Sequence, residues 1–147
     1  MIGYLYQELT ERIIRSFYNV YDQLGYGFLE HVYENALVIE LEEMGLEVER
    51  QKKIEVMYKG QEVGLYVADI VVKDKVVVEV KAISKLIKAN EMQLLNYLKA
   101  TGMQVGLVVN FGPRIEFKRK YLDLKGKNQR LDSDKSLIRD DKFSTRA

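Results

Sequence analysis

The stretch YVADIVVKDKVVVEVKAI, residues 66–83, consists of two β-branched runs on either side of Lys73-Asp74-Lys75. That pattern predicts two antiparallel strands joined by a tight turn. With the turn over those three residues, Val72 faces Val76, and counting outward sets Asp69 opposite Glu79. Lys81, two residues beyond Glu79, shares its face. Cross-strand neighbours stand about 4.5–5.5 Å apart at Cβ, close enough for two carboxylates to share one hard cation. Val67, Val71 and Val77 are expected on the same face, which places the acids in a part-buried apolar setting where an unpaired carboxylate is costly. The plain alternative is the wet face of an amphipathic hairpin carrying a surface ion pair.

Upstream, Val48, Ile54, Val56, Val63 and Leu65 keep the period near two, so the hairpin extends backwards into a third strand through a turn at Lys59-Gly60. Before that, Leu5, Leu9, Ile13, Phe17, Val20 and Leu24 recur at three- and four-residue steps, predicting an amphipathic helix closed by Gly25. A second helix is expected from Leu29 to Met44, ending at Gly45. Downstream, helical spacing returns over Lys88–Thr101 and stops at Gly102, followed by a strand from Gln104 to Asn110 and room for another at Ile115–Tyr121. The resulting fold class is α/β (α+β), a mixed central sheet with flanking helices, because a crossover helix lets the next strand add in parallel.

With 147 residues, 47% hydrophobic and 31% charged, the chain has the make-up of one folded domain. Residues 1–124 are read as that domain and 125–147 as a charged tail, mobile or loosely docked, with a short helix possible near Leu137. There is no cysteine, which excludes disulfides, thiolate nucleophiles and cysteine-ligated zinc. No apolar run suits a signal peptide or membrane span, so a cytoplasmic location is expected. Residues 1–112 carry 12 Lys/Arg against 16 Asp/Glu, whereas 113–147 carry 11 against 6. That basic end either attracts nucleic acid or is simply solvated.

Asp69 followed by Glu79-Val80-Lys81 resembles the D…(D/E)xK core of the PD-(D/E)XK nuclease superfamily, with Ala68 in place of the nominal proline. Gly27-Phe28-Leu29-Glu30-His31-Val32-Tyr33 is similar to the pattern that names the GxxExxY protein family, a branch of that superfamily. Gln93-Leu94-Leu95-Asn96-Tyr97 resembles the QxxxY element of bacterial recombination exonucleases. The resemblance runs from about Ile13 to Phe111 and includes Val109-Asn110-Phe111-Gly112. It implies a restriction-endonuclease-like α-β-β-β-α-β core with an extra N-terminal helix.

The resemblance also implies roles. Asp69 and Glu79 would hold Mg²⁺ or Mn²⁺ with the Val80 carbonyl, and Glu30 would complete or support that site. Lys81 would orient the attacking water and stabilise the phosphorane, while Gln93 and Tyr97 would reach the phosphate or hold the lysine. The substrate implied is DNA or RNA and the reaction phosphodiester hydrolysis. A different class of function stays open, a catalytically silent nucleic-acid- or protein-binding module on the same fold. Plain readings also stand beside each helix residue. Glu30 suits any helix N-terminus, Gln93 and Tyr97 any polar helix face, and His31, the single histidine, fits surface or packing better than ligation. Tyr33 is expected to pack on the sheet or to hydrogen-bond Glu30.

Overall fold

The computed structural model describes residues 6–122, and the tail from residue 125, with its expected mobility, lies outside them. Helix α1 (Gln7–Leu24) buries Ile13, Phe17 and Val20 and ends where Gly25, at φ 68°, turns its N–H back to the Tyr21 carbonyl at 2.8 Å. Leu5, the first residue of the expected stripe, lies outside the described residues. Helix α2 (Glu30–Glu43) follows, then strands β1 (Val48–Tyr58), β2 (Gln61–Val72) and β3 (Val76–Lys81). Helix α3 (Lys88–Thr101) crosses over to β4 (Val105–Phe111), and β5 (Ile115–Tyr121) closes the sheet. Among the described residues no helix is long and apolar enough to cross a membrane.

The five strands lie in the order β1-β2-β3-β4-β5, with β3 and β4 parallel and the other neighbours antiparallel. This is the expected mixed sheet, and the possible last strand is present. Helices α1 and α2 cover one face, where Phe17, Tyr33, Leu37 and Leu41 pack with Ile70, Val78, Leu107, Val109 and Phe117. Helix α3 covers the other, placing Leu94, Leu95, Tyr97 and Leu98 against Val71, Val77 and Val108. On this face Gly106 leaves space for the helix, since a Cβ there would meet Leu94 Cδ1 at 2.9 Å. Beneath the same helix a buried ion pair joins Glu91 to Lys120 of β5 at 3.1 Å.

Alternation in β2 does not run through unbroken. Ala68 and Val71, three residues apart, both belong to the layer beneath α3, whereas Ile70 belongs to the opposite one. In β1, Val48 packs on the α1/α2 side and Ile54 on the α3 side, although six residues of regular strand would keep them on one face. The two strands therefore exchange faces together, at the point where Gln51 takes φ 48° between the pairs Arg50–Ile70 and Lys52–Ala68. Beyond it the β1–β2 ribbon lies along α3 through Ile54 and Tyr66. Val67 consequently points away from Val71, and the expectation that the two share a face is corrected. Strict period-two counting has no means of registering a left-handed residue on the neighbouring strand.

The end of β3 is anchored to β4. Lys81 pairs with Asn110, whose Oδ1 accepts the Ile83 N–H at 2.8 Å and whose Nδ2 donates to the Ile83 carbonyl at 2.9 Å. Glu116 Oε1 takes the Leu86 N–H at 2.8 Å, so the segment after Lys81 is pinned at two points. Gly112 makes room for it, because a Cβ there would sit 2.4 Å from the Ile83 carbonyl oxygen. Gly112→Ala should therefore destabilise the protein by about 1–3 kcal/mol through forced displacement of backbone. Urea denaturation measures this, and an unchanged midpoint would mean that the loop yields freely.

Candidate functional site

The β2–β3 register is the one expected, with Val72 opposite Val76, Val71 opposite Val77 and Ile70 opposite Val78. The ladder then stops, one step short of Asp69 and Glu79. Beyond it the Asp69 carboxylate replaces a backbone acceptor, Oδ2 taking the Val80 N–H at 2.8 Å. Because N–H and C=O of one residue in an antiparallel strand point to the same neighbour, the Val80 carbonyl is directed into the gap left by β2. Asp69 is thus fixed by a charge-assisted hydrogen bond at the fork between two strands.

Glu79 is buried, at 9% exposure, and its Oε2 is a buried oxygen without a hydrogen-bond partner. Desolvation, and next the charge of Asp69, push its carboxyl up to about 8, against the lowering effects of the Tyr66 hydroxyl, the Lys81 ammonium and the Asp69 N–H. Asp69 is also raised, chiefly by desolvation, with the Val80 hydrogen bond opposing. Two carboxyl groups that each resist ionisation, one with an oxygen left unpaired, mark a place where positive charge is missing. Lys81, half-buried, acts on both and lowers both.

Glu30 stands exposed in the first turn of α2. Its carboxyl is raised by partial desolvation and then by the charge of Asp69, with Lys81 lowering it and Glu34 raising it, so it faces the same fork. Among the described residues, however, no three of His, Asp and Glu converge into a ready-made metal cluster. The close carboxylates are therefore the pair Asp69 and Glu79. His31 is exposed. Tyr33 is fully buried and stacks on Phe111 with centroids 4.4 Å apart, and its hydroxyl donates to the Gly25 carbonyl at 2.7 Å and accepts the Phe28 N–H at 3.2 Å. Of the two expectations for it, packing holds; its hydroxyl bonds to that turn and not to Glu30.

Tyr97 and Gln93 separate. Tyr97 is buried against Tyr66, ring centroids 3.7 Å apart, and its hydroxyl oxygen is buried without a partner. Burial, then the charges of Glu79 and Asp69, raise it far above the ordinary tyrosine range, so it stays a neutral donor beside the acids. Gln93, one turn earlier, is exposed.

Sequence reasoning missed Tyr66, Glu34 and Gln51. Tyr66 borders Glu79 and is raised by burial and by that carboxylate; strict alternation from Asp69 puts it on the wrong face, and only the exchange at Gln51 brings it in. Gln51 Nε2 donates to both Glu34 oxygens at 3.0 Å, and Arg50 pairs with Glu34 at 3.4 Å. The one available signal was that Glu34 follows Glu30 by four residues and so lies on its helix face.

These shifts set a pH dependence. The folded protein holds the Glu79 proton more tightly than the unfolded chain does, so this contribution to stability is complete below the ordinary glutamate range and is lost as pH rises towards about 8. Metal-free protein in EDTA should melt progressively lower across that window. Glu79→Gln should flatten the slope and melt above the wild type at the alkaline end. Parallel slopes for the two proteins would show that the carboxyl is not desolvated in solution.

A family model described as the PD-(D/E)XK nuclease superfamily matches residues 7–120, which include Glu30, Asp69, Glu79, Lys81, Gln93 and Tyr97. No curated protein matches the chain significantly. A solved structure described as the crystal structure of SSO0001 aligns over 97% of this chain and 68% of its own, at 18% sequence identity and a TM-score of 0.48, too distant to compare sites.

Proposed function

The chain belongs to the PD-(D/E)XK nuclease superfamily, and from that premise we propose that it is a metal-dependent nuclease hydrolysing phosphodiester bonds of DNA or RNA. The observation that carries this reading is the orphaned, buried Glu79 Oε2 beside the Asp69 carboxylate, with both groups raised for want of positive charge. A divalent cation fits that deficit. The donors are oxygens, there is no cysteine, and the one histidine is exposed, a set suited to Mg²⁺ or Mn²⁺. Asp69, Glu79 and the Val80 carbonyl would hold the ion, with Glu30 acting from the helix. So small a protein share of the coordination is usual for Mg²⁺, which keeps waters and substrate oxygens as ligands. When bound, the cation supplies Lewis acidity at the phosphate and acidifies water.

The remaining steps belong to the chain. Lys81 places an ammonium beside the carboxylates, where it orients the attacking water and stabilises charge that develops on the phosphoryl oxygens. Tyr97, neutral and with no partner for its hydroxyl, donates to a phosphate oxygen or to that water. Gln93 contributes from the exposed turn of α3 to substrate outside the fork. The Tyr66 hydroxyl, hydrogen-bonded to Glu79, holds that carboxyl in place. The arrangement of Gly27, Glu30 and Tyr33 supports membership in the GxxExxY branch, since Gly27 takes φ 117° and Tyr33 ties the turn that leads to Glu30.

The test is cleavage of labelled single- and double-stranded DNA and RNA in Mg²⁺, Mn²⁺ or EDTA. Lys81→Met retains the apolar stem and removes the charge, so turnover should fall roughly 100-fold or more while metal and substrate affinity change little. Metal should raise the melting temperature of the wild type, and Asp69→Asn with Glu79→Gln should abolish that rise. Wild-type protein that cleaves nothing in either metal would transfer the reading to a binding module.

A further inference from the structure

Five exposed apolar side chains lie in the two segments that adjoin Glu30 and Lys81 in the chain. Tyr26, Phe28 and Leu29, at 62%, 48% and 71% exposure, lie in the turn that ends at Glu30, and Ile83 and Ile87 lie in the segment that follows Lys81. Neither segment is slack. Gly25 and Gly27 hold positive φ, the Tyr33 hydroxyl bridges Gly25 and Phe28, and the Phe28 ring meets Tyr33 edge-on at 6.1 Å, itself stacked on Phe111. Phe111 follows Asn110, the register partner of Lys81, so the aromatic column stands at the same end of the sheet as the site lysine. Ile83 is fixed to that same asparagine. Two aromatic rings are thus presented to solvent, on fixed backbone, in the turn that leads to Glu30 and at the end of the sheet where Lys81 lies.

Resting on the nuclease reading, we propose that Tyr26 and Phe28 form a stacking platform for an unpaired nucleobase next to the scissile phosphate, making the substrate a single strand or a frayed end. The neighbours of a nucleotide's phosphate are its bases, and every base has a π face, so the surface suits any sequence. An intact duplex keeps those faces covered. Electrostatics favour the same choice, because Glu30, Asp69 and Glu79 share the fork with Lys81, and Arg50 is paired with Glu34. Attraction of the phosphate backbone to this face is weak, and stacking provides affinity that does not depend on released counterions.

The experiment is fluorescence anisotropy of the full chain in Ca²⁺ with a labelled oligothymidylate, the same strand in a blunt duplex, and an abasic strand of equal length. Wild-type protein should bind the oligothymidylate best and the abasic strand poorly. Tyr26→Leu and Phe28→Leu should each weaken binding of the oligothymidylate roughly 5- to 100-fold. Their salt dependence should match the wild type, and so should their binding of the abasic strand. If Phe28→Leu fails to fold, Tyr26→Leu and the abasic comparison decide. Equal binding of abasic and base-bearing strands, or equal losses on single strand and duplex, would overturn the platform and leave the nuclease reading standing. A wild type that neither binds nor cleaves any nucleic acid would overturn both.

Discussion

One hydrogen bond organises this protein's site, that from the Val80 N–H to the Asp69 carboxylate. In a continuing ladder a backbone carbonyl would occupy that position, and the two strands would close over one another. With a charged side chain there instead, β2 separates from β3 without leaving the Val80 N–H unsatisfied, and a gap opens beside Glu79. The departure of β2, the orientation of the Val80 carbonyl and the desolvation of both acids all depend on that substitution of acceptors.

The energetic character of the fork is the reverse of a structural ion pair. Lys81 lowers both carboxyl groups, yet burial outweighs it at each, and the charge of Asp69 adds to burial at Glu79, which is pushed up to about 8. A site arranged for stability alone would place a second cation there, as Lys120 is placed beside Glu91. The fork instead retains a deficit of positive charge, which is the condition under which an added divalent ion gains most.

Much of this was readable in residue order. The three-residue turn at Lys73-Asp74-Lys75 determines the hairpin register by setting Val72 opposite Val76, and Gly25 and Gly102 end their helices where the periodicity stops. Asp69, Glu79 and Lys81 were therefore brought together by counting alone. Counting failed where the backbone leaves the regular region. Gln51 has an unremarkable side chain and a left-handed φ, and the face exchange around it admits Tyr66 and sends Val67 outward. Glu34 was missed for another reason: its partners Gln51 and Arg50 are on a strand whose placement over α2 is a tertiary fact with no local periodicity.

The pair of Glu91 and Lys120 also bears on how the chain assembles correctly. Strand β5 is an edge, joined to the sheet only through β4, and its residues alternate between the two layers. A slip that brought Tyr121 into the place of Lys120 would leave Glu91 buried without its cation, and one that brought Arg119 there would set a broad guanidinium in the space of a narrow ammonium. An isolated charge in that position costs far more than a shifted apolar contact. The last strand therefore carries a check on its own alignment at a single atom pair, in addition to the fit of its apolar face.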